Sequence, residues 1–261
     1  MAASDTAVRL LAGAPHLSVG ILTADLGRLD DELRRVERTG VPMVHTDVMD
    51  GVFCPMLTVG TPFVAAQRTS LLKDVHLMVR EPLEKVGAFV AAGADIITFQ
   101  VESASNPHRV LQVLGDATNV NDPARGIVRG VAVSPGTPLE VLVPLLDDLE
   151  YVLILAINPG WSGQRLHPGT GARLARVGEM IAAAGHPILL AVDGGITRAN
   201  ISEVAALGPD VIVTGSAIFD GTSAVEANAA YMLAELTAGA TRARPSRGRS
   251  SGEAHRATRF G

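Results

Sequence analysis

The chain has 261 residues, of which 47% are hydrophobic and 19% charged, a length and composition that suit one large globular domain or two small ones. Aromatic residues make up only 3%, which argues against a base-stacking surface for nucleic acid. The single cysteine, Cys54, excludes an internal disulfide and a site built from several thiolates. No apolar run reaches the length of a membrane span, so we expect a cytoplasmic protein without a membrane or nucleic-acid partner.

Short apolar, β-branched segments alternate along the chain with segments of helical periodicity. Eight strands are predicted, at residues 17–22, 41–49, 74–79, 95–101, 127–133, 151–157, 187–192 and 210–215. Eight helical segments are predicted, at residues 29–36, 62–71, 82–92, 107–114, 137–146, 174–184, 198–207 and 225–236. Eight strand–helix units predict a parallel, closed (β/α)₈ TIM barrel. An open doubly wound sheet is the alternative, and it is disfavoured because no Gly-x-Gly-x-x-Gly turn follows the first strand.

The two ends of the chain lie outside this repeat. Residues 1–16 are predicted to form an N-terminal extension, residues 17–238 the barrel, and residues 239–261 a disordered tail rich in Arg, Ser and Gly. The tail holds six arginines and one glutamate, whereas the rest of the chain has an excess of acidic residues. Because no aromatic residue is interleaved with the arginines, a dispensable solvated extension is favoured over a contact with nucleic acid or an acidic surface.

Polar residues at the C-terminal ends of the predicted strands are the candidates for chemistry, since barrel active sites lie there. His45 and Asp47 share one face of the second strand, His76 lies on the third, and Asp193 ends the seventh. Two imidazoles and two carboxylates form a ligand set suited to zinc, iron(II), manganese or cobalt. A buried His–Asp hydrogen bond is the structural alternative.

Three loops extend the candidate site. Gly194 and Gly195 after the seventh strand, with Gly215 and Ser216 after the eighth, predict a phosphate site built from backbone N–H groups. Tight turns are the alternative explanation of these glycines. Residues 158–164 follow the sixth strand and predict a lid over the substrate, with an ordinary surface turn as the alternative.

Lysine usage excludes one class of reaction. The chain has only Lys73, expected just before the third strand at the bottom of the barrel, and Lys85, expected in a helix. A Schiff-base aldolase needs a lysine at the C-terminal end of a strand. Aldolase chemistry of that type is therefore excluded.

These motifs resemble those of the ribulose-phosphate 3-epimerase family, and the resemblance runs collinearly over about residues 17–220. It rests above all on HTDVMDGVFCPMLTVG (45–60), DVHLMVREP (74–82), VDGGI (192–196) and GSAIF (215–219). Hexulose-phosphate synthase and orotidine-phosphate decarboxylase, on similar barrels, carry an Asp-x-Lys-x-x-Asp signature that this chain lacks.

The resemblance implies a ribulose-phosphate-binding type of barrel in which His45, Asp47, His76 and Asp193 bind one divalent metal ion. It also implies that Asp47 and Asp193 are the acid/base pair that inverts C3 of D-ribulose 5-phosphate, through an enediolate, to give D-xylulose 5-phosphate in the pentose phosphate pathway. A homo-oligomer with a small-molecule ketose phosphate as its substrate is expected. The implied substrate-binding residues are Gly20, Met49, His76, Met78, Gly160, Trp161, Ser162, Gly163, Gly194, Gly195, Gly215 and Ser216.

Several substrate-facing positions depart from the usual family pattern. Gly20 stands where a serine is usual, Gln100 where a histidine is usual, Leu155 where a methionine is usual, and Trp161-Ser162 where Phe-Gly is usual. Two interpretations follow: altered efficiency on the pentose phosphate, or a paralogue acting on another ketose phosphate such as allulose 6-phosphate. A non-catalytic sugar-phosphate-binding barrel is disfavoured by the complete ligand set, and a lyase or decarboxylase by the missing strand lysine.

Overall fold

The computed structural model describes residues 3–161, 163–221 and 224–242. In these ranges eight parallel strands pair in chain order, and the first pairs with the last to close a barrel. The strands are β1 His16–Gly20, β2 Met43–Met49, β3 Leu72–Met78, β4 Ile96–Gln100, β5 Val128–Val133, β6 Tyr151–Leu155, β7 Leu189–Asp193 and β8 Val211–Thr214. The (β/α)₈ barrel predicted from the sequence is confirmed.

Helices surround the barrel. The α-helices are α1 Asp5–Gly13, α2 Leu29–Glu37, α3 Thr61–Ala66, α4 Val86–Ala91, α5 Pro107–Gly115, α6 Thr170–Ala184, α7 Ile201–Ala205 and α8 Val225–Ala240. Short 3₁₀ segments lie at Ile21–Thr23, Leu26–Arg28, Pro82–Glu84 and Val101–Ser103, and a longer one at Leu139–Asp148. None of the helices in the described ranges combines the length and the apolar character needed to cross a bilayer.

Several predicted helices differ from the observed ones. The segment predicted at 82–92 divides into a 3₁₀ turn, Pro82–Glu84, and a short α-helix, Val86–Ala91, and the helix predicted at 198–207 is shortened to Ile201–Ala205. The segment predicted at 137–146 is a 3₁₀ helix, Leu139–Asp148, with Pro144 inside it; proline lacks the N–H that an α-helix interior requires. The helix predicted at 62–71 ends at Ala66. The next residue, Gln67, is buried, and its side-chain amide donates to the Thr46 hydroxyl at 2.8 Å.

Helix α1 lies within the segment predicted only as an extension. The Ser4 hydroxyl accepts a hydrogen bond from the Ala7 N–H and caps the helix. Ala7 and Leu10 are buried against the apolar residues that fill the barrel interior, among them Tyr151. Part of residues 1–16 is therefore packed against the barrel. Most of the predicted tail, residues 243–261, lies outside the described residues.

The barrel interior is apolar along much of its length and polar where β2, β3 and β7 approach their C-terminal ends. Because faces alternate along a strand, β2 directs Met43 into the interior apolar cluster and His45 and Asp47 to the same side above it. The outward residues of the strands, such as Val48 and Val75, pack in the layer beneath the helices. The strand scaffold thus holds a small polar group at the barrel mouth.

Candidate metal centre at the barrel mouth

Four side chains from three strands form one compact group at the mouth. One ligand atom from each of His45, Asp47, His76 and Asp193 lies within 4.8 Å of the others. Within the part of the chain that the structure describes, this is the only group of three or more His, Cys, Asp or Glu side chains arranged to hold a metal ion. The four residues predicted as ligands are therefore brought together.

Asp47 lies between the two histidines. Its Oδ1 atom lies 2.9 Å from His76 Nδ1 and 3.2 Å from His45 Nε2. The register of β2 and β3 sets this arrangement. Asp47 lies opposite His76, and His45 lies opposite Asp74, the inward-facing residue that precedes His76 on β3. One carboxylate oxygen thus faces one nitrogen of each ring.

Asp74 fixes the orientation of His45. Its Oδ2 atom accepts from His45 Nδ1 at 2.8 Å and from the Ser18 hydroxyl, also at 2.8 Å, and all three residues are fully or almost fully buried. Because Nδ1 carries the proton given to Asp74, Nε2 is left to face Asp47. This is the carboxylate–histidine arrangement that prepares an imidazole to bind a metal ion.

The two carboxyl groups predicted as acid and base have opposite pKa shifts. Burial and the neighbouring Asp47 carboxylate raise the pKa of Asp193 to about 6. Burial also acts to raise the pKa of Asp47, but the two adjacent histidines outweigh it and hold that pKa well below its usual range. Paired carboxyls with diverging pKa values are the arrangement expected of an acid and a base at one site.

His45 carries a related shift. Burial acts to lower its pKa, yet the Asp74 and Asp47 carboxylates more than offset burial and raise the pKa well above its ordinary value. The negative charge around this ring therefore favours a cation at the centre. Together with the two-His, two-Asp donor set, it makes the residues fit a divalent metal ion.

Apolar side chains border the centre. Met49 and Met78, the last residues of β2 and β3, pair in register directly above the ligands. Leu155 ends β6, is buried, and pairs with Asp193 of β7. Low polarity on these sides strengthens electrostatic interactions within the site.

The glycine loops at β7 and β8 pack too tightly for larger side chains. Gly194 and Gly195 both have positive φ, and a Cβ on Gly195 would lie 2.6 Å from the Leu166 nitrogen. A Cβ on Gly215 would lie 2.8 Å from the Gly20 carbonyl oxygen, which places Gly20 against the start of the β8 loop. Close packing alone accounts for these glycines, so their predicted contact with phosphate stays a prediction, as does that of the exposed Ser216.

The predicted lid is braced by its own last residue. The Gln164 side-chain nitrogen donates to the backbone oxygens of Asn158 and Trp161 at 2.7 and 2.8 Å. Gly160 has φ +88°, and a Cβ there would lie 2.6 Å from Cys54 Cβ, so the loop packs against the β2–α3 connection. Ser162 lies outside the described residues.

An open cavity of about 670 Å³ lies beside the lid, lined by Ser134, Gly136, Asn158, Pro159, Trp161 and Gln164. Trp161 is 57% exposed at its edge. The cavity is large enough to hold a small-molecule ligand.

Two buried contacts of the histidines were missed in the sequence. Asp74 lies two residues before His76, and the alternation of strand faces could have placed both inside the barrel. Gln100 stands out in the sequence only as a departure from a family pattern, yet its side-chain nitrogen lies 3.2 Å from His76 Nε2. The partner of each residue depends on the register between strands, which the sequence alone does not give.

Fold and site together define a (β/α)₈-barrel enzyme with a candidate metal centre of two histidines and two aspartates. The sequence profile described as the Ribulose-phosphate 3 epimerase family matches residues 16–219. The chain belongs to this family, and with it to the isomerases that act on carbohydrate phosphates.

Individual relatives agree with this membership. Ribulose-phosphate 3-epimerase of Treponema pallidum is 37% identical over 208 residues, covering 79% of this chain and 92% of the relative. The protein named Putative epimerase LsrE of Salmonella typhi is 35% identical over 243 residues, which cover 93% of this chain and 95% of the relative. Among solved structures, KGPDC from Streptococcus mutans superposes with a TM-score of 0.62 at 14% identity over 86% of this chain and 98% of that one, a likeness of fold alone.

Proposed function

We propose that the protein is a metal-dependent epimerase that interconverts D-ribulose 5-phosphate and D-xylulose 5-phosphate by inverting C3. The observation that carries the proposal is the meeting of Asp47 and Asp193 in one cluster with two histidines, with their pKa values shifted in opposite directions. Family membership and the similarity to ribulose-phosphate 3-epimerases support the choice of reaction.

Inversion at C3 needs a base on one face of the substrate and an acid on the other. The hydrogen on C3 is acidic because the adjacent C2 carbonyl accepts the electron pair, which gives a planar enediolate. One aspartate removes this proton, and the other delivers a proton to the opposite face. Asp47 on β2 and Asp193 on β7 come from different strands of the mouth, and in the reverse reaction they exchange roles.

Each turnover in one direction leaves the aspartate that acted as base protonated and the aspartate that acted as acid deprotonated. The pair is reset by a passage in the reverse direction or by exchange with solvent. A pKa of about 6 for Asp193 allows that carboxyl group to give and take a proton near neutral pH. A proton at C3 should accordingly exchange with solvent during turnover.

His45, Asp47, His76 and Asp193 would hold one divalent ion, for which zinc, iron(II), manganese and cobalt all suit the donor set. When bound, such an ion acts as a Lewis acid that stabilises negative charge on the substrate oxygens. His45 Nε2 and His76 Nδ1 are the nitrogens that face the group. Because Asp74 accepts a hydrogen bond from His45 Nδ1, it leaves His45 Nε2 free to bind the ion.

The remaining predicted contacts surround the reacting carbons. The backbone of Gly194, Gly195, Gly215 and Ser216 is proposed to bind the phosphate, and the loop at 158–164 to cover the substrate. Met49 and Met78 provide apolar walls that limit water around the enediolate. A homo-oligomeric state is also proposed, and light scattering on the purified chain measures it.

A second candidate is the same chemistry on a different ketose phosphate, such as allulose 6-phosphate. Leu155, buried beside Asp193 in the register of β6 and β7, and Gly20, packed against Gly215, alter the outline of the mouth. The similarity to Putative epimerase LsrE, at 35% identity over 93% of this chain, leaves room for this candidate because that name specifies an epimerase without a substrate.

The test is hydrogen exchange at C3 followed by NMR in deuterated water, with purified protein before chelation, after chelation and after return of the metal. Metal-dependent exchange in ribulose 5-phosphate together with formation of xylulose 5-phosphate supports the first candidate. Faster exchange in allulose 6-phosphate than in ribulose 5-phosphate supports the second. No exchange in any ketose phosphate by the metal-loaded protein overturns both.

A further inference from the structure

Gln100 ends β4 and is completely buried behind the metal centre. Its side-chain nitrogen lies 3.2 Å from His76 Nε2, and its side-chain oxygen lies 3.5 Å from the Ser134 hydroxyl. His76 is itself completely buried. The amide therefore connects a ligand of the centre to Ser134, which lines the cavity beside the lid.

The two nitrogens of His76 have different neighbours. Nδ1 lies 2.9 Å from Asp47 Oδ1 and faces the ligand group, whereas Nε2 faces Gln100. A neutral imidazole carries a proton on one nitrogen and a lone pair on the other. His76 binds a metal ion through Nδ1 only when its proton is on Nε2, and a buried Nε2–H then needs an acceptor.

Gln100 carries that acceptor in the same side chain. Rotation of the terminal amide by half a turn exchanges its oxygen and nitrogen, which are nearly indistinguishable in shape. The oxygen then faces His76 Nε2 and the nitrogen faces Ser134. The Ser134 hydroxyl serves either orientation, because a hydroxyl both donates and accepts.

We propose that Gln100 is a positioning residue whose amide oxygen accepts from the Nε2–H of His76 and so directs the Nδ1 lone pair at the metal ion. The proposal rests on the proposed function only in taking His76 as a metal ligand. The centre would then have one anionic acceptor, Asp74 behind His45, and one neutral acceptor, Gln100 behind His76. A neutral amide orients the second ring without adding a further negative charge to a site that already holds three carboxylates.

The proposal is tested by metal affinity, measured with zinc and cobalt(II) against a chromophoric chelator on the full chain. Gln100→Met keeps a similar volume but provides no amide acceptor, and it should weaken binding about 10- to 100-fold. Gln100→Glu keeps an acceptor at the same place and should hold affinity within a few-fold of the wild type. Ser134→Ala, which removes only the outer contact of the amide, should have a smaller effect than Gln100→Met.

A second readout reports the tautomer directly. In the zinc-loaded wild type, long-range proton–nitrogen NMR correlations should show the His76 proton on Nε2. A proton on Nδ1, or equal affinity in Gln100→Met and the wild type, overturns the proposal. These outcomes are independent of catalysis, because a protein that binds metal normally but exchanges no C3 proton refutes the proposed function and leaves the role of Gln100 intact.

Melting temperatures of the metal-free variants serve as the control for folding. Gln100→Met with an unchanged melting temperature and lower metal affinity supports a positioning role. If Gln100→Glu loses affinity as strongly as Gln100→Met while both remain folded, an acceptor at this place is not what matters, and the proposal fails.

Discussion

His45 and Asp74 lie opposite each other on adjacent strands, and Asp74 Oδ2 accepts a hydrogen bond from His45 Nδ1 at 2.8 Å. The same oxygen accepts from the Ser18 hydroxyl on β1. Three strands therefore fix one imidazole ring before any ligand arrives. This contact lies inside the barrel, where both partners are shielded from water. Its removal should therefore lower the affinity of the candidate metal centre for a metal ion.

Replacing Asp74 with Asn should weaken metal binding about 10- to 100-fold, the usual effect of removing a carboxylate behind a ligating histidine. The shape of the side chain is retained and its charge is lost. Ser18→Ala is the matched control, because it removes a hydrogen bond to the same oxygen and leaves the charge in place. Titration with zinc should give the order wild type, Ser18→Ala, Asp74→Asn; equal affinities for all three would contradict this role of Asp74.

Replacing Asp193 with Asn should lower kcat by at least about 10²-fold, the size typical of a general acid or base. Asp47 remains able to remove a proton, so exchange at C3 should persist with one of the two epimers and disappear with the other. NMR of each epimer in deuterated water measures this asymmetry. Asp31→Asn is the control: it changes an exposed carboxylate of α2 that pairs with Arg28 and Arg34, and it should retain full activity. An Asp193→Asn variant with normal turnover would refute the acid/base assignment.

Metal binding should strengthen as the pH rises from about 5 to about 7. The pKa of Asp193 is raised to about 6, so below that pH its carboxyl group is protonated and a metal ion must displace the proton. The raised pKa of His45 adds a second proton to displace, which reinforces the same sign. Calorimetry in two buffers of different ionisation enthalpy should show proton release on binding. Constant affinity across this range without proton release would argue against these groups as ligands.

The strands and the four ligands were predictable because their signals are local. The strand predicted at 127–133 is observed as Val128–Val133, and His45, Asp47, His76 and Asp193 all lie on predicted strands or at their ends. Alternation of faces within β2 places His45 and Asp47 on one side without any knowledge of the neighbouring strand.

Other parts of the structure depend on tertiary contacts. The roles of Asp74 and Gln100 depend on the register of β3 with its two neighbours. Asp74 lies opposite His45 of β2, whereas Gln100 reaches His76 from a position on β4 two residues beyond Thr98, the residue opposite His76. Helix α1 is short and owes its place to Ala7 and Leu10, which pack on the barrel interior. Short isolated helices are marginal in water, so packing rather than propensity decides this one.

The lid should respond to the loss of its brace. Gln164→Leu removes the amide that donates to the Asn158 and Trp161 carbonyls. The variant should have a higher KM and a lower kcat, so that kcat/KM falls by about 10-fold. Trp161 is the only tryptophan, and its exposed ring should become less solvated when substrate binds. Its fluorescence in the wild type should therefore shift to shorter wavelength on addition of substrate, and in Gln164→Leu the shift should be smaller.

Gln112→Leu on α5, a surface glutamine that accepts from Arg109, is the matched control for the lid variant and should leave both readouts unchanged. An unchanged kcat/KM and an unchanged fluorescence shift in Gln164→Leu would show that the Gln164 contacts are not needed for the loop to cover the substrate. The absence of any fluorescence shift in the wild type would show that Trp161 is not shielded when substrate binds.

The far end of the barrel provides a test of stability that is separate from the site. Arg129 Nε donates to Glu150 Oε2 at 2.8 Å, and the two side chains are only 4% and 1% exposed. The other carboxylate oxygen of Glu150 accepts from the Ser4 N–H at the start of α1. Arg129→Met leaves the Glu150 carboxylate buried without its cation, which should cost about 3–5 kcal/mol in the free energy of unfolding. Arg176→Met breaks an exposed pair with Glu179 and should cost less than about 1 kcal/mol. Urea denaturation of both variants measures the difference; equal midpoints would mean that the buried pair and its link to α1 contribute no more than a surface contact.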